Sequence, residues 1–129
     1  MIKKILIIDD SVTARFFIKS CIHDDTEYEI FEAGDGKQGV DIFKQIQPDL
    51  TFLDLTMPEM NGFEALNEIK STNKDAVVVI LTADIQKKTF ERVTKLGALM
   101  LIKKPPTKES IHDALSKAQR QLEDIRQSK

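Results

Sequence analysis

Near its start the chain reads KKILIIDDS, over residues 3–11. Four aliphatic residues in a row, three of them isoleucine, favour a β-strand. Because no polar residue interrupts the apolar run, we expect a strand covered on both faces, which is typical of a parallel sheet. The stretch therefore predicts a buried parallel strand at Lys3–Ile8 that ends in two carboxylates, Asp9 and Asp10.

Similar apolar runs recur along the chain and alternate with helical segments. The further runs are Tyr28–Ala33, Leu50–Leu53, Ala76–Leu81 and Ala98–Ile102. Between and after them, apolar residues spaced three and four positions apart predict helices, with stripes that start at Ala14, Gly36, Phe63 and Ile111 and a partial stripe of Phe90, Val93 and Leu96. This alternation predicts an α/β fold, a doubly wound parallel sheet of five strands with five helices on its two faces.

Length and composition limit the classes of function. The 129 residues predict a single domain over 1–129, with little chain for a separate effector or DNA-binding module. With 19 basic and 21 acidic side chains, the net charge of -2 does not favour nucleic-acid binding. No apolar run approaches the roughly 20 residues of a membrane span, and the start does not match a signal peptide. One cysteine, Cys21, is typical of a reducing compartment, so we expect a cytoplasmic protein.

Polar residues stand at the ends of four predicted strands. They are Asp9 and Asp10, Asp54, Thr82 and Lys104. Because the carboxyl ends of parallel strands meet at one edge, where doubly wound sheets bind ligands, we expect these side chains to lie together. Each has an ordinary alternative as a turn residue, a helix cap or a solvated charge. The combination is far more specific than any one member.

This set of residues suits phosphoryl chemistry. Three neighbouring carboxylates repel one another unless a cation neutralises them, and an all-oxygen site with few carboxylates suits Mg²⁺. Lys104 supplies a positive charge and Thr82 a hydroxyl, both suited to phosphoryl oxygens. One carboxylate can then attack phosphorus and form an aspartyl phosphate. Asp54 is the best candidate, because it ends a central strand and precedes a tight turn.

The chain resembles the receiver domain of two-component response regulators, most closely the stand-alone, chemotaxis type. The matching stretches are ILIIDDS at 5–11, DLTMPEMNG at 54–62, LTA at 81–83, Gly97-Ala98 and Lys104-Pro105. The resemblance runs from about residue 3 to about residue 120. It implies a flavodoxin-like sheet of order 2-1-3-4-5.

The resemblance also implies a metal site and a phosphoryl donor. Asp54 is then the phospho-acceptor and, with Asp9 and Asp10, a ligand of divalent Mg²⁺, Asp10 more directly than Asp9. The backbone carbonyl of Thr56 completes the protein ligands. The donor is a phosphohistidine of a sensor histidine kinase or phosphotransfer protein, and small acyl phosphates often substitute.

The remaining implied roles concern the switch. Thr82 grips the phosphoryl group and changes position, while Lys104 pairs with the phosphate; the Lys104–Pro105 bond is commonly cis. Leu101 stands where the family usually has an aromatic residue, so we expect the switch to rest on Thr82 and on movement of the fourth helix and fifth strand. Pro106 replaces another frequent aromatic and should stiffen the next turn. The expected readout is a contact with a downstream protein at the surface of helix 4, strand 5 and helix 5.

Two other classes of function stay open at this stage. An aspartate-nucleophile phosphatase usually carries a second Asp two residues after its nucleophile, and Thr56 stands there instead. We therefore expect no enzyme beyond self-phosphorylation from a donor and slow self-dephosphorylation, on which Asp84 could act. The other class is a structural module that has lost phosphorylation. The pathway also stays open among chemotaxis, phosphorelays and kinase-linked shuttles.

The last helix and three single residues complete the expectations. The stripe from Ile111 to Ile125 predicts about 18 helical residues, or about 27 Å, longer than a strand of about 17–20 Å. The extension at about 119–127, beyond a core of about 3–120, is either a solvated helix end or an apolar face for a partner or weak dimer. Cys21 is expected in the core, and His23 and His112 at the surface.

Overall fold

The computed structural model describes residues 2–22, 28–57 and 60–128. His23, and Pro58 and Glu59 of the stretch after Asp54, lie outside them. The described residues form five strands and five helices in alternation: β1 (Lys4–Ile8), α1 (Val12–Ile22), β2 (Glu29–Ala33), α2 (Gly36–Ile46), β3 (Leu50–Asp54), α3 (Gly62–Thr72), β4 (Val78–Thr82), α4 (Lys87–Lys95), β5 (Met100–Lys103) and α5 (Lys108–Gln127).

The strands form one parallel sheet in the order β2-β1-β3-β4-β5, which confirms the expected topology. In the register of the central strands, Ile8 lies opposite Leu53 and Asp54 opposite Leu81. At the next pair of strands, Thr82 lies opposite Lys103. The carboxyl ends of β1, β3, β4 and β5 are therefore level, and the polar residues at these ends share one edge.

Successive residues of the central strands supply two separate cores, one on each face of the sheet. Ile5 and Ile7 of β1 belong to the core that includes residues of α1 and α5. Leu6 and Ile8 belong to the other core, with residues of α2, α3 and α4. All residues of β3 and β4 are buried. The uninterrupted apolar runs thus fill both faces, at about 1.5–3 kcal/mol for each fully buried aliphatic side chain.

In two helices one residue of the predicted apolar stripe is exposed, while other stripe residues, such as Ile18, Cys21 and Val93, are buried. Phe17 of α1 is 38% exposed and Phe90 of α4 is 52% exposed. The residues of α4 that are buried are Thr89 and Val93. The hydroxyl of Thr89 donates a hydrogen bond to Asp84 Oδ2 (2.6 Å), which holds Thr89 inward and turns Phe90 outward.

Of the two alternatives for the end of the last helix, the structure does not support the exposed apolar face. The helix α5 does extend to Gln127, but Leu122 is only 9% exposed and Ile125 packs against the core. The end of α5 lies against the start of the sheet: Ile2 N donates to Gln119 Oε1 (3.2 Å), and Arg126 pairs with Asp49 (3.6 Å). The chain itself therefore covers most of the stripe.

The interface between α1 and α5 determines how far Cys21 and His112 are buried. Cys21 is buried as predicted, at 4% exposure, and this burial raises the pKa of its thiol. His112 is half-buried rather than a surface residue. Its ring lies against α1, with Nε2 2.9 Å from the Cys21 carbonyl oxygen. A carbonyl oxygen only accepts, so Nε2 carries the proton. Among the described residues, no helix has the length and apolar character that a membrane crossing requires.

Candidate functional site

Backbone hydrogen bonds of the sheet place the polar residues of the site. The amide of Asp9 donates to the Ala33 carbonyl (3.0 Å), which extends the pairing of β1 with β2. Asp54 and Thr82 are the last residues of their strands, one residue later than the sequence predicted for each. The amide of Lys104 donates to the Thr82 carbonyl (2.9 Å). The polar residues of the site are thus fixed by the hydrogen bonds of the sheet.

Three carboxylates meet at this edge. Oxygens of Asp9, Asp10 and Asp54 lie within 4.8 Å of one another. Asp9 and Asp54 are buried, at 1% and 3% exposure, whereas Asp10 is exposed. Burying two like charges is costly unless a cation compensates them. A set of hard oxygen donors that is open to solvent on the Asp10 side fits a hydrated divalent ion such as Mg²⁺.

Lys104 lies between the two buried carboxylates. Its Nζ is 3.0 Å from Asp9 Oδ2 and 3.3 Å from Asp54 Oδ1. The ammonium group offsets one of the two negative charges of Asp9 and Asp54, so one net negative charge remains on these three side chains. The predicted residues Asp9, Asp10, Asp54 and Lys104 are therefore brought into direct proximity.

The pKa values of this group follow from burial and from the neighbouring charges. Burial raises the pKa of Asp54, and the negative charge of Asp9 raises it further, against the opposing influence of Lys104. Burial lowers the pKa of Lys104, but its hydrogen bond to Asp9 and the two carboxylate charges outweigh this, so the pKa is raised. The surroundings thus favour the charged form of Lys104, and additional positive charge near Asp54 would favour its anion.

The backbone after β3 helps to hold the Asp54 carboxylate. The amide of Thr56 donates to Asp54 Oδ1 (3.2 Å), and the Thr56 side chain is exposed. The helix α3 starts against the same turn, where Gly62 N donates to the Leu55 carbonyl (2.9 Å). A Cβ on residue 62 would overlap Leu55 Cα and lie 2.6 Å from the Asp54 carbonyl oxygen. Only glycine allows this close approach.

Thr82 is buried at the end of β4, at 3% exposure. Its Oγ1 accepts a hydrogen bond from the amide of Asp84 (3.0 Å). Leu101, the other predicted switch residue, is half-buried in β5 and packs against the core on the face that includes Val93. Thr82 therefore stands at the site edge, whereas Leu101 lies within the sheet and brings no polar group to the site.

Sequence reasoning missed one residue at this edge. Arg15 of α1 donates from Nη1 to the Asp9 carbonyl oxygen (2.6 Å) and pairs through Nε with Glu32 Oε1 (3.0 Å). It ties the loop after β1 to strand β2. No local pattern indicates this role, because Glu32 is 17 positions away in the sequence. The Lys104–Pro105 peptide bond is cis, in agreement with the resemblance.

A doubly wound parallel sheet with buried carboxylates, a lysine and a threonine at its carboxyl edge defines a class of phosphate-handling signalling domains. The comparisons with known proteins name the family within this class. The chain belongs to the response regulator receiver domain family, whose model matches residues 5–116. It is accordingly a signalling protein of a phosphorelay type; receiver domains are generally not classed as enzymes, and the family typically binds Mg²⁺.

Relatives of known name come from several signalling systems. The chain is 34% identical over 116 residues to the chemotaxis protein CheY of Thermotoga maritima, covering 89% of this chain and 96% of that protein. It is 34% identical over 117 residues to sporulation initiation phosphotransferase F of Bacillus subtilis, covering 91% and 94%. Among solved structures, CheY in the CheX-CheY-BeF3-Mg complex of Borrelia burgdorferi has a TM-score of 0.84 at 27% identity, covering 88% and 86%.

Proposed function

We propose that the chain accepts a phosphoryl group on Asp54 from a phosphohistidine and passes the signal on by changing a protein contact. One observation carries the proposal: the buried carboxylates of Asp9 and Asp54 are bridged by the Lys104 ammonium at 3.0 and 3.3 Å. Such a group can neutralise charge that develops on a phosphoryl group. The donor is a sensor histidine kinase or a phosphotransfer protein.

The acidic cluster is the proposed metal site. Asp9, Asp10 and Asp54 would hold Mg²⁺ together with the backbone carbonyl of Thr56, and the exposure of Asp10 leaves room for water ligands. The ion supplies positive charge that favours the anionic form of Asp54 and stabilises the transferring phosphoryl oxygens.

The transfer itself needs few groups of the protein. A carboxylate oxygen of Asp54 attacks phosphorus, the new O–P bond forms, and the P–N bond to the donor imidazole breaks, with its electron pair returning to the imidazole. Lys104 balances the phosphoryl charge and gives up no proton. The hydroxyl of Thr82 then donates to a phosphoryl oxygen.

The proposed output surface consists of α4, β5 and α5. The elements α4 and β5 carry the exposed ring of Phe90 and exposed basic residues, namely Lys87, Lys88, Lys95 and Lys103. A downstream protein that binds there would read the phosphorylated state. The relatives act in chemotaxis and in sporulation phosphotransfer, so both a chemotaxis pathway and a phosphorelay are candidate settings, in the cytoplasm.

Acetyl phosphate with Mg²⁺ tests the acceptor. We expect the wild-type chain to gain one phosphoryl group, seen as a mass increase on an intact-protein spectrum, and Asp54→Asn to gain none. Asp41→Asn, on the exposed face of α2, is the control and should behave as wild type. Equal phosphorylation of the Asp54→Asn chain would refute the assignment.

A phosphatase is the second candidate class, and Thr56 counts against it. The side chain at this position offers no carboxylic acid to protonate a leaving group. We therefore expect no multiple turnover with a panel of phosphomonoesters under conditions where acetyl phosphate modifies Asp54. Sustained release of phosphate from any of these esters would favour the enzyme instead.

A further inference from the structure

A chain of hydrogen bonds leads from Thr82 to helix α4. The amide of Asp84 donates to Thr82 Oγ1 (3.0 Å). The carboxylate of Asp84 then accepts from the hydroxyl of Thr89 (2.6 Å) and from the amide of Gln86 (3.0 Å). The last residue of β4 and the first turn of α4 are thus joined through one side chain.

The Asp84 side chain caps the start of α4, a role that the N-cap residue normally has. Gln86 is the N-cap residue and makes no side-chain cap hydrogen bond. The Asp84 carboxylate binds Gln86 and Thr89 instead, and its negative charge lies where the helix dipole favours it. The hydrogen bond from Thr89 also lowers the pKa of Asp84, so the link is made by the anion at neutral pH.

The link reaches one of the few buried points of the helix. Among the described residues of α4, Thr89 and Val93 are the buried ones, and the rest of the helix is exposed. With few buried side chains, α4 has little packing to resist a local displacement. The Asp84–Thr89 hydrogen bond is therefore one of the contacts that fix α4, together with the burial of Val93 and the position of Arg92 over the Phe63 ring (3.8 Å).

The Thr82 hydroxyl can accept from the Asp84 amide and donate to a phosphoryl oxygen at the same time. A movement of Thr82 toward a phosphoryl group on Asp54 therefore draws the Asp84 backbone with it. In β5, residue 101 is leucine and offers no side-chain hydrogen bond to such a movement. The displacement of the Asp84 backbone consequently passes to the carboxylate and to Thr89.

We propose that the Asp84–Thr89 hydrogen bond is the link by which Thr82 repositions α4 when Asp54 carries a phosphoryl group. Asp84 and Thr89 are positioning residues in this scheme and do not touch the reacting atoms. The inference rests on the proposed function of Asp54. It adds the route of the signal and assigns it to two residues outside the phosphorylation site.

Amide hydrogen exchange of the full chain tests the link, with beryllofluoride and Mg²⁺ as the phosphoryl mimic. Thr89→Val keeps the shape of the side chain and removes the hydroxyl, Thr89→Ser keeps the hydroxyl, and Thr94→Val is a matched control at an exposed position of the same helix. Binding of beryllofluoride is measured separately from amide shifts around Asp54. Thermal unfolding of each variant shows that it is folded.

We expect all four proteins to bind beryllofluoride with similar affinity. Exchange rates in Lys87–Lys95 should respond to binding in wild type, Thr89→Ser and Thr94→Val, and the response should fall about fivefold in Thr89→Val, the effect of about one net hydrogen bond. A full α4 response in Thr89→Val would overturn the link while leaving the acceptor role intact. Failure of the wild type to bind beryllofluoride would overturn the acceptor role, and the link with it.

Discussion

Lys104 shows how a single residue allows two buried carboxylates to lie side by side. It contributes one charge at 3.0 Å from Asp9 and 3.3 Å from Asp54. The pKa of Asp54 is raised in spite of it, first by burial and then by Asp9. Positive charge near Asp54 therefore favours its anionic form against the effects of burial and of Asp9.

Replacement of Lys104 by alanine should raise the pKa of Asp54 further. A folded-state pKa above the unfolded one makes the free energy of unfolding fall as the pH rises through the interval between them. This interval widens in Lys104→Ala, so its loss of stability with rising pH should be larger and extend to higher pH than in wild type. Carbon-13 NMR of the Asp54 carboxyl group and urea unfolding at several pH values measure the two effects.

Lys103→Ala is the matched control, because this neighbouring lysine is exposed and the structure records no ion pair for it with the cluster. Its titration should follow that of wild type. An unchanged Asp54 pKa in Lys104→Ala would mean that the ammonium group does not influence the acceptor.

At the scale of elements, close approach between helix and loop fixes where Asp54 points. The start of α3 touches the turn after β3 because Gly62 has no side chain. Asn61 caps the helix and forms a capping box with Glu64, so the helix begins at this position and not later. The start of α3 therefore fixes the turn in which the Thr56 amide donates to the Asp54 carboxylate.

Gly62→Ala should destabilise the fold by about 1–3 kcal/mol, since the added Cβ meets backbone that cannot move away cheaply. Gly34→Ala is the control: a Cβ there meets nothing closer than 3.6 Å, at Arg15. Guanidinium unfolding at constant pH compares the two variants. A cost for Gly34→Ala as large as that for Gly62→Ala would show that loss of glycine itself, and not the contact, is responsible.

For the molecule as a whole, the acidic cluster couples a ligand to stability. Asp9, Asp10 and Asp54 come from two strand ends that unfolding separates, so a cation that binds the three together binds the folded chain only. The added stability then follows the law of mass action and equals about 2.7 kcal/mol at a ligand concentration of 100 times Kd.

The unfolding temperature should therefore rise with Mg²⁺ concentration in wild type and rise much less in Asp10→Asn. Asp10 is the suitable site for this change, because it is exposed and its loss leaves the Asp9–Lys104 pair in place. Asp41→Asn should retain the full Mg²⁺ dependence. Removal of the ion with EDTA should return wild type to its starting temperature, and a response of Asp10→Asn equal to wild type would argue against this metal site.

Sequence patterns were reliable where one physical rule acts alone. Uninterrupted apolar runs placed the strands to within one or two residues, since burial on both faces leaves no room for a polar position. They were less reliable for α4. A short stripe could not show that Thr89 and not Phe90 faces inward, because a hydrogen bond from a loop residue sets the rotation of that helix.

The sequence by itself determined the order of the elements, the parallel sheet and the set of residues at its carboxyl edge, because strand pattern and βα alternation leave few other topologies. Only the tertiary structure decided which charges pair, since the Lys104–Asp9 contact joins positions 95 residues apart. It also decided that α5 covers its own stripe and that Arg15 holds the loop of Asp9. Contacts of this kind depend on the distances and directions of side chains in the folded chain, which local spacing does not encode.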